Sequence, residues 1–398
     1  MEVKLGLKEN WQQFSLLVVI NAFVGGMVGL ERSILPRLAS EEFQIASHTA
    51  IFSFIIVFGI VKAITNFFAG HLANSVGRHR LLIYGWLFAI PIPFLLMWAP
   101  TWNWIILANV LLGINQGLTW SSTVTMKIDL VGDKQRGLAM GINEFAGYLS
   151  IGLIALLTAW IAETYGIRPY PFYVGILFVV LGLFLSLFWV KDTKHFVETA
   201  ASSSKMELLK KRFWDTSLLN RNLGSITQAG LVNNMNDGMM WGLFPILLAA
   251  KGFTLAEIGF ITALYPMVWG IAQLGTGSLS DFLCQKDLLF IGMLFQGVAI
   301  LGLLYVDSFL AFATLSFALG LGTALVYPTF LASIAENTHP NDRAASLGIF
   351  RFWRDLGYAL GAILTGILAD YFELNVSIIV IGCLTVASAG VLKVRMTC

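Results

Sequence analysis

Residues 70–80 read Gly70-His71-Leu72-Ala73-Asn74-Ser75-Val76-Gly77-Arg78-His79-Arg80, a basic turn set between two long apolar runs. A connection in that position has to be short, and its positive charge places it on the cytoplasmic side of a bilayer. A half-copy, Gly277-Ser278-Leu279-Ser280-Asp281, returns at an offset of 207 residues, and the same offset relates Gly113 to Gly320 and Arg136 to Arg343. One spacing shared by three landmarks predicts two similar halves joined in series. Duplication of this kind in a membrane protein points to a transporter whose halves rock about a central site.

Composition leads to the same membrane. Of 398 residues, 57% are hydrophobic and 12% charged, about half the ~25% charge content of a soluble domain. Runs long enough to span, ~20 apolar residues each, fall at roughly 13–36, 49–71, 81–98, 104–127, 137–161, 170–190, 223–248, 257–277, 287–306, 309–333, 344–368 and 375–393. The expected fold is an all-α membrane protein of twelve transmembrane helices in two pseudo-symmetric six-helix halves. The first run is too long for a signal h-region and no small-residue cleavage site follows it, so it reads as a retained span. The division expected is residues 1–190, a cytoplasmic linker 191–222, and residues 223–398. The linker is polar, Ser-rich at Ser202-Ser203-Ser204, and predicts an amphipathic helix over 206–213 lying on the inner leaflet.

An even number of spans puts both termini on one side, and Lys and Arg decide which. Inside segments hold Lys4, Lys8, Arg78, Arg80, Lys127, Lys134, Arg136, Lys286, Arg343, Lys393 and Arg395 as well as the basic linker, while outside segments hold only Arg37, Arg168 and Lys251. Both termini are therefore expected in the cytoplasm, with the chain in the cell's cytoplasmic membrane. The net charge of +2 follows topology and signals no nucleic-acid partner. Cys284, Cys383 and Cys398 show no metal or redox spacing, so neither metal nor other cofactor is expected.

Placed after the second span, Gly70, Leu72, Asn74, Gly77 and Arg78 match a cytoplasmic signature, Gly-x-Leu-x-Asp/Asn-x-x-Gly-Arg-Lys/Arg. On those residues the whole chain resembles the major facilitator superfamily, and most of all its small prokaryotic efflux-type members. The resemblance implies that spans 1, 4, 7 and 10 line a central cavity and that spans 2, 5, 8 and 11 form the contact between halves. It also implies that the signature loop packs near the start of the eleventh span and steadies an outward-open state. Asn74 suits the capping of a helix start, and Arg78 or Arg80 is placed to meet Asp129 at the end of span four. The chain departs from the pattern in several places. The first copy has Asn74 for an acid; the second keeps Asp281 but has Cys284 and Gln285 where Gly and Arg would stand. Asn109 aligns with the span-four arginine of many proton-coupled members. The Gly-Pro pattern of drug antiporters is absent from 147–157.

Ionisable groups at mid-depth cost about 2.5–3.5 kcal/mol each on insertion scales, so each needs a reason. Glu31 and Arg32 lie in the outer third of span one, and neighbouring helix residues diverge rather than face one another. One is expected in the cavity and the other toward a neighbour or the headgroups. Glu31 reads either as a proton or cation site or as half of a snorkelling pair. Span seven carries Asn233, Asn234, Asn236 and Asp237, too much polarity for a helix facing lipid. Asp237 reads as a coupling carboxylate or an anchor for a cationic substrate, against a polar cluster bonding a kinked backbone. In span four, Asn115, Gln116 and Trp120 are expected as a cavity wall, with Asn109 above them and Tyr327 contributed by span ten. Lys62 in span two and Asp355 in span eleven share a depth and are expected to face each other, as a gating latch or a permanent strut. Arg351 and Arg354 lie beside them. Glu144 is the repeat equivalent of Arg351 and either pairs with it or serves the contact with span eight.

The reading that follows is a secondary transporter moving a small solute by alternating access, as a monomer, with protons as the coupling ion and efflux as the direction. The alternative is a facilitator or proton symporter for a small organic anion held by Lys62, Arg32 and Arg351. No Gly-x-x-x-x-Gly-Lys-Ser/Thr loop occurs, which removes ATP as the energy source. An intramembrane enzyme would need His, Asp or Cys clustered on one cavity. His48, His71, His79, His195 and His339 all fall in or beside loops, so no catalytic residue is expected.

Overall fold

A computed structural model describes residues 5–131, 136–193, 211–276, 279, 283–339 and 343–397, and the regular structure among them is helical. The first group of helices is α1 (Trp11–Arg32), α2 (Leu35–Glu41), α3 (His48–Ile51), α4 (Ser53–Ser75), α5 (Arg78–Ala89), α6 (Pro91–Trp98), α7 (Trp102–Val131), α8 (Arg136–Tyr165) and α9 (Tyr173–Phe188). The second is α10 (Arg221–Ala250), α11 (Leu255–Thr276), α12 (Gln285–Gly302), α13 (Phe309–Glu336), α14 (Arg343–Tyr371) and α15 (Leu374–Arg395). Prolines punctuate these runs. Pro36 sits in the first turn of α2 and Pro91 in that of α6, where a missing N–H costs nothing. Pro245, Pro266 and Pro328 instead lie inside α10, α11 and α13, each removing a backbone bond and bending its helix.

Eight helical segments among the described residues are long and apolar enough to cross a membrane. The long helices α7, α10 and α14 fall outside that set. They are the ones carrying Asn109, Asn115 and Gln116, the 233–237 cluster, and Arg351, Arg354 and Asp355. Polarity costly against lipid is held inside the bundle: Asn109, Asn115, Gln116, Asn233, Asn234, Asn236 and Asp237 are all fully buried.

The helices up to α9 pack chiefly on one another, as do those from α10 onward, and the two groups meet through α4 against α14 and α8 against α11. Within each group small residues allow backbones to touch. A Cβ on Gly25 of α1 would stand 2.2 Å from the Gly147 carbonyl oxygen of α8, and one on Gly361 of α14 would stand 2.4 Å from the Met235 carbonyl oxygen of α10. Gly361→Val should therefore destabilise by about 1–3 kcal/mol, the usual cost of overpacking. Gly390→Val, at a glycine with nothing within 4 Å of an added Cβ, is the matched control. Melting of the purified variants checks the contrast, and equal melting temperatures would refute the close approach. Gly77 has a different reason to be glycine: its φ of 99°, just before α5, is one that side-chain-bearing residues avoid.

One sequence expectation changes here. Lys127, counted among the cytoplasmic residues, is fully buried and donates from Nζ to the Leu17 carbonyl at 3.3 Å. Helix α7 continues a further turn to Val131, which carries Lys127 into the bundle against α1. The amphipathic helix expected over 206–213 lies mostly outside the described residues, as do Asp281, the rest of the second motif copy except Leu279, and the side chain of Asn74. What is described of the linker ends in a π-helical turn, Asp215–Leu219. That turn is tied to α14 by Thr216 Oγ1 to Ser346 Oγ at 3.1 Å and Trp353 Nε1 to Ser217 Oγ at 2.9 Å.

Candidate functional site

The polar groups gather in one belt across the junction of the two helix groups. Lys62 Nζ of α4 lies 3.6 Å from Asp355 Oδ1 of α14. Asn66 Nδ2 donates to Asp355 Oδ2 at 2.5 Å, and Ser121 Oγ of α7 donates to Asn66 Oδ1 at 2.7 Å. Arg354 stands 3.7 Å from the same Asp355 carboxylate and donates from Nη2 to the Tyr148 hydroxyl of α8 at 3.2 Å. One connected network thus runs through α7, α4, α14 and α8. Aromatic faces hold its cations: Tyr358 lies 5.1 Å from the Lys62 ammonium, and Tyr327 4.3 Å from the Arg354 guanidinium. A desolvated cation over such a ring gains roughly 2 kcal/mol.

Asp237 is fully buried on α10. The Tyr265 hydroxyl donates to its Oδ1, while Oδ2 has no hydrogen-bond partner. Thr323 Oγ1 of α13 lies 3.4 Å from the Tyr265 hydroxyl, so three helices converge on the carboxyl. On the other side of the belt Glu31 accepts from Asn109 Nδ2 at 3.1 Å, leaving Oε1 without a partner. Arg32 turns the opposite way. Its guanidinium packs 4.6 Å from the Phe58 ring and 4.4 Å from that of Trp241, and Nε, Nη1 and Nη2 have no hydrogen-bond partner. Both residues are buried, so neither half of this pair snorkels to the headgroups.

Other expected cavity groups are used to hold helices together. Asn115 donates to the Gly85 carbonyl at 2.9 Å and Gln116 to the Val24 carbonyl at 2.7 Å, tying α7 to α5 and α1. An amide in an apolar span that finds a bare carbonyl will bond it, and these two therefore do not form the cavity wall expected of them. Asn236 likewise donates to Gln296 Oε1 at 3.0 Å and accepts from Thr385 Oγ1 at 2.7 Å. Asn233 and Asn234 contact each other at 3.4 Å, with Asn233 Oδ1 and Asn234 Nδ2 left over. Glu144 accepts from Trp120 Nε1 at 2.9 Å and from Asn143 at 3.1 Å, rather than pairing with Arg351. Helix α8 packs chiefly on α11, and the α14 side chain bonded to it is Arg354, through Tyr148. Near the signature turn, Arg78 Nε lies 2.8 Å from Asp129 Oδ2, which also accepts from Thr193 at 2.7 Å.

Sequence reading missed the aromatic part of the site, namely Tyr148, Trp241, Tyr265, Trp269 and Tyr358. In chains this rich in aromatics such residues read as packing. The available signal was the hydroxyl, since a buried Tyr seeks a polar partner. Tyr148 and Trp269 stack with ring centroids 3.5 Å apart, joining α8 to α11.

Two cavities adjoin this belt. The larger, of about 860 Å³, is lined by Ser33, Arg37, Glu163, Pro245 and Phe253 among others. A small inner void of about 20 Å³ is walled by Arg32, Trp241, Tyr265 and Pro266, with Pro245 common to both. Among the described residues no group of three His, Cys, Asp or Glu is placed to hold a metal ion.

At the rim, Asp370 at the end of α14 clasps the start of α3 from the other helix group. It accepts from Ser47 Oγ at 2.8 Å, His48 N at 2.5 Å and Thr49 N at 3.0 Å, with the His48 ring at 3.2 Å. Burial raises the carboxyl, but the bonds from Thr49, Ser47 and His48 outweigh it and hold Asp370 well below the usual carboxylate range. A depressed carboxylate contributes fully above its unfolded value of about 3.9 and is lost only as pH falls below that. Asp370→Asn should lower the melting temperature by the same amount at every pH from about 5 to 8. A difference that varies with pH across that range would overturn this account of the carboxylate.

The family model described as Major Facilitator Superfamily matches the chain twice in tandem, over residues 14–225 and 226–396. Multidrug resistance protein MdtG of Escherichia coli O1:K1 / APEC is 24% identical over 375 residues, covering 91% of this chain and 89% of the relative. The same figures hold for MdtG of Escherichia coli (strain K12 / DH10B). Among solved structures, a mutant of the nucleoside transporter NupG superposes with a TM-score of 0.77 at 12% identity, covering 97% of this chain and all of the other.

Proposed function

The chain belongs to the major facilitator superfamily, and from that premise we propose that this multi-pass membrane transporter exports a small solute in exchange for protons. Twelve spans form the transport unit, with residues 1–190 and 223–398 as its two halves and 191–222 as the cytoplasmic connection. Both termini face the cytoplasm, the chain works as a monomer in the cytoplasmic membrane, and the halves rock on the α4–α14 and α8–α11 contacts. The name of its relative MdtG, a multidrug resistance protein, favours export.

The observation that carries proton coupling is the half-satisfied carboxyl of Asp237, whose second oxygen is buried without a partner. Its other oxygen is bonded to Tyr265, a wall of the inner void. A proton delivered through that void would change the charge of the chamber, and a change of charge is the differential interaction a driven conformational equilibrium requires. Lys62 with Asp355, Arg354 with Tyr148, and Arg78 with Asp129 serve as gating contacts on this reading. Glu31, which accepts a hydrogen bond from Asn109, is a second protonatable carboxyl.

The test is flux of a panel of labelled drugs and organic acids from liposomes holding the purified protein. Transport of at least one compound should depend on an imposed pH gradient and acidify or alkalinise the lumen in proportion. Flux indifferent to the gradient and to a protonophore would remove proton coupling.

A further inference from the structure

Two acids at the rim make the same contact, one at each of the junctions between the helix groups. Asp370, near the end of α14, accepts from the backbone of His48 and Thr49 at the start of α3. Glu163, near the end of α8, accepts through Oε2 from Ala256 N at the start of α11, at 2.7 Å. Each bond crosses from one group to the other. The two contacts also correspond residue by residue: the offset of 207 that relates the halves carries Glu163 to Asp370, Thr49 to Ala256 and Ser47 to Thr254.

Capping alone does not require these acids. The free N–H groups of a helix start are met first by a side chain just before it, and both starts have one. Ser47 Oγ accepts from Ala50 N at 3.2 Å, and Thr254 Oγ1 from Glu257 N at 3.3 Å, with Glu257 reaching back to Thr254 N at 2.8 Å. Glu163 and Asp370 add a negative charge at the positive end of each helix, delivered from the opposite group. Four residues before each acid the helices close up. A Cβ on Gly366 would stand 2.8 Å from the Thr49 Cα, and one on Gly259 would stand 2.4 Å from the Ala159 Cβ. Ala159 and Gly366 are again related by the offset. Both acids are exposed, so releasing either returns its carboxylate to water and strands no charge in the bundle. Glu163 and His48, with Thr254 and Leu255, also line the cavity of about 860 Å³, which places the contacts at its edge.

We propose that Glu163 and Asp370 are the paired latches of one gate: each ties a helix end of one group to a helix start of the other, and both let go together when this end of the cavity opens. The assignment rests on the alternating-access reading above and adds to it two named residues acting on a shared equilibrium.

Spin labels on cysteines at Tyr165 and Phe372 test it in the full-length protein, with Cys284, Cys383 and Cys398 replaced by Ser. These positions are exposed, lie two residues beyond the acids and are equivalent by the offset, so pulsed dipolar spectroscopy reads the width of this end as closed and open components. Glu163→Gln and Asp370→Asn should each raise the open-to-closed ratio by roughly fivefold. The double variant should raise it by roughly 25-fold, because independent contacts on one equilibrium multiply. A double variant with the wild-type distribution overturns the proposal, as does a shift produced by one acid and not the other. Ala256→Pro approaches the same contact from the donor side, removing the N–H at a first-turn position that tolerates proline. It should match Glu163→Gln, and combining the two should add nothing; an additive effect overturns the Glu163 latch. A shifted ratio without driven flux of any compound sinks the transport reading and leaves the latches, whereas driven flux with an unmoved ratio sinks the latches and leaves transport.

Discussion

Asp237→Asn should abolish flux driven by a pH gradient, by at least roughly tenfold, while solute exchange at equal pH on both sides continues. The amide has nearly the shape of the carboxyl and keeps an acceptor for the Tyr265 hydroxyl, so the packing of α10 against α11 is preserved. What it loses is the ability to gain and release a proton. With the charge of the site fixed, the two conformations differ by the same free energy at any pH, and a gradient has nothing to act on. Exchange needs only the rocking motion and the substrate contacts, which remain. Unchanged driven flux in Asp237→Asn would remove this carboxyl from the mechanism and shift attention to Glu31, whose Oε1 is likewise buried without a partner.

The second large effect is expected at Asp355. Two cations, Lys62 at 3.6 Å and Arg354 at 3.7 Å, depend on this one buried carboxylate. Asp355→Ala leaves both buried without it, and removing one partner of a buried pair typically costs about 3–5 kcal/mol. Lys62→Ala should cost less, because Asp355 retains Arg354 and the Asn66 amide at 2.5 Å. The double variant should recover part of the loss, with an interaction energy of about 1–3 kcal/mol. Since α4 and α14 belong to different helix groups, Lys62→Ala should also shift the balance between conformations, read as altered labelling of cysteines placed in the larger cavity. A double-mutant cycle without coupling would refute the pairing. Coupling without any change in labelling would make the contact a permanent strut.

The depth match of Lys62 and Asp355 was visible as residue counts from the ends of two apolar runs. Asp237 stood out because four polar residues in five positions do not belong against lipid. The amides of α7 were misread for a related reason. Asn115 and Gln116 look like cavity groups in a helix assigned to the lining, but the carbonyls they bond, on Gly85 and Val24, belong to helices far away in the chain. Glu144 had two candidate partners, and its bond from Trp120 was indicated by neither the repeat nor the charge pattern.

The sequence alone determined the class of this protein, because bilayer thickness translates directly into run length, and a shared offset of 207 residues betrays duplication without any knowledge of contacts. Only the tertiary structure decided which buried polar groups are satisfied. Hydrogen bonding depends on atoms from distant helices meeting within about 3 Å, a distance that linear spacing does not encode. Hence the chain announces its ions, and the fold alone separates those that hold helices together from Arg32 and Asp237, which keep buried polar atoms without a hydrogen-bond partner.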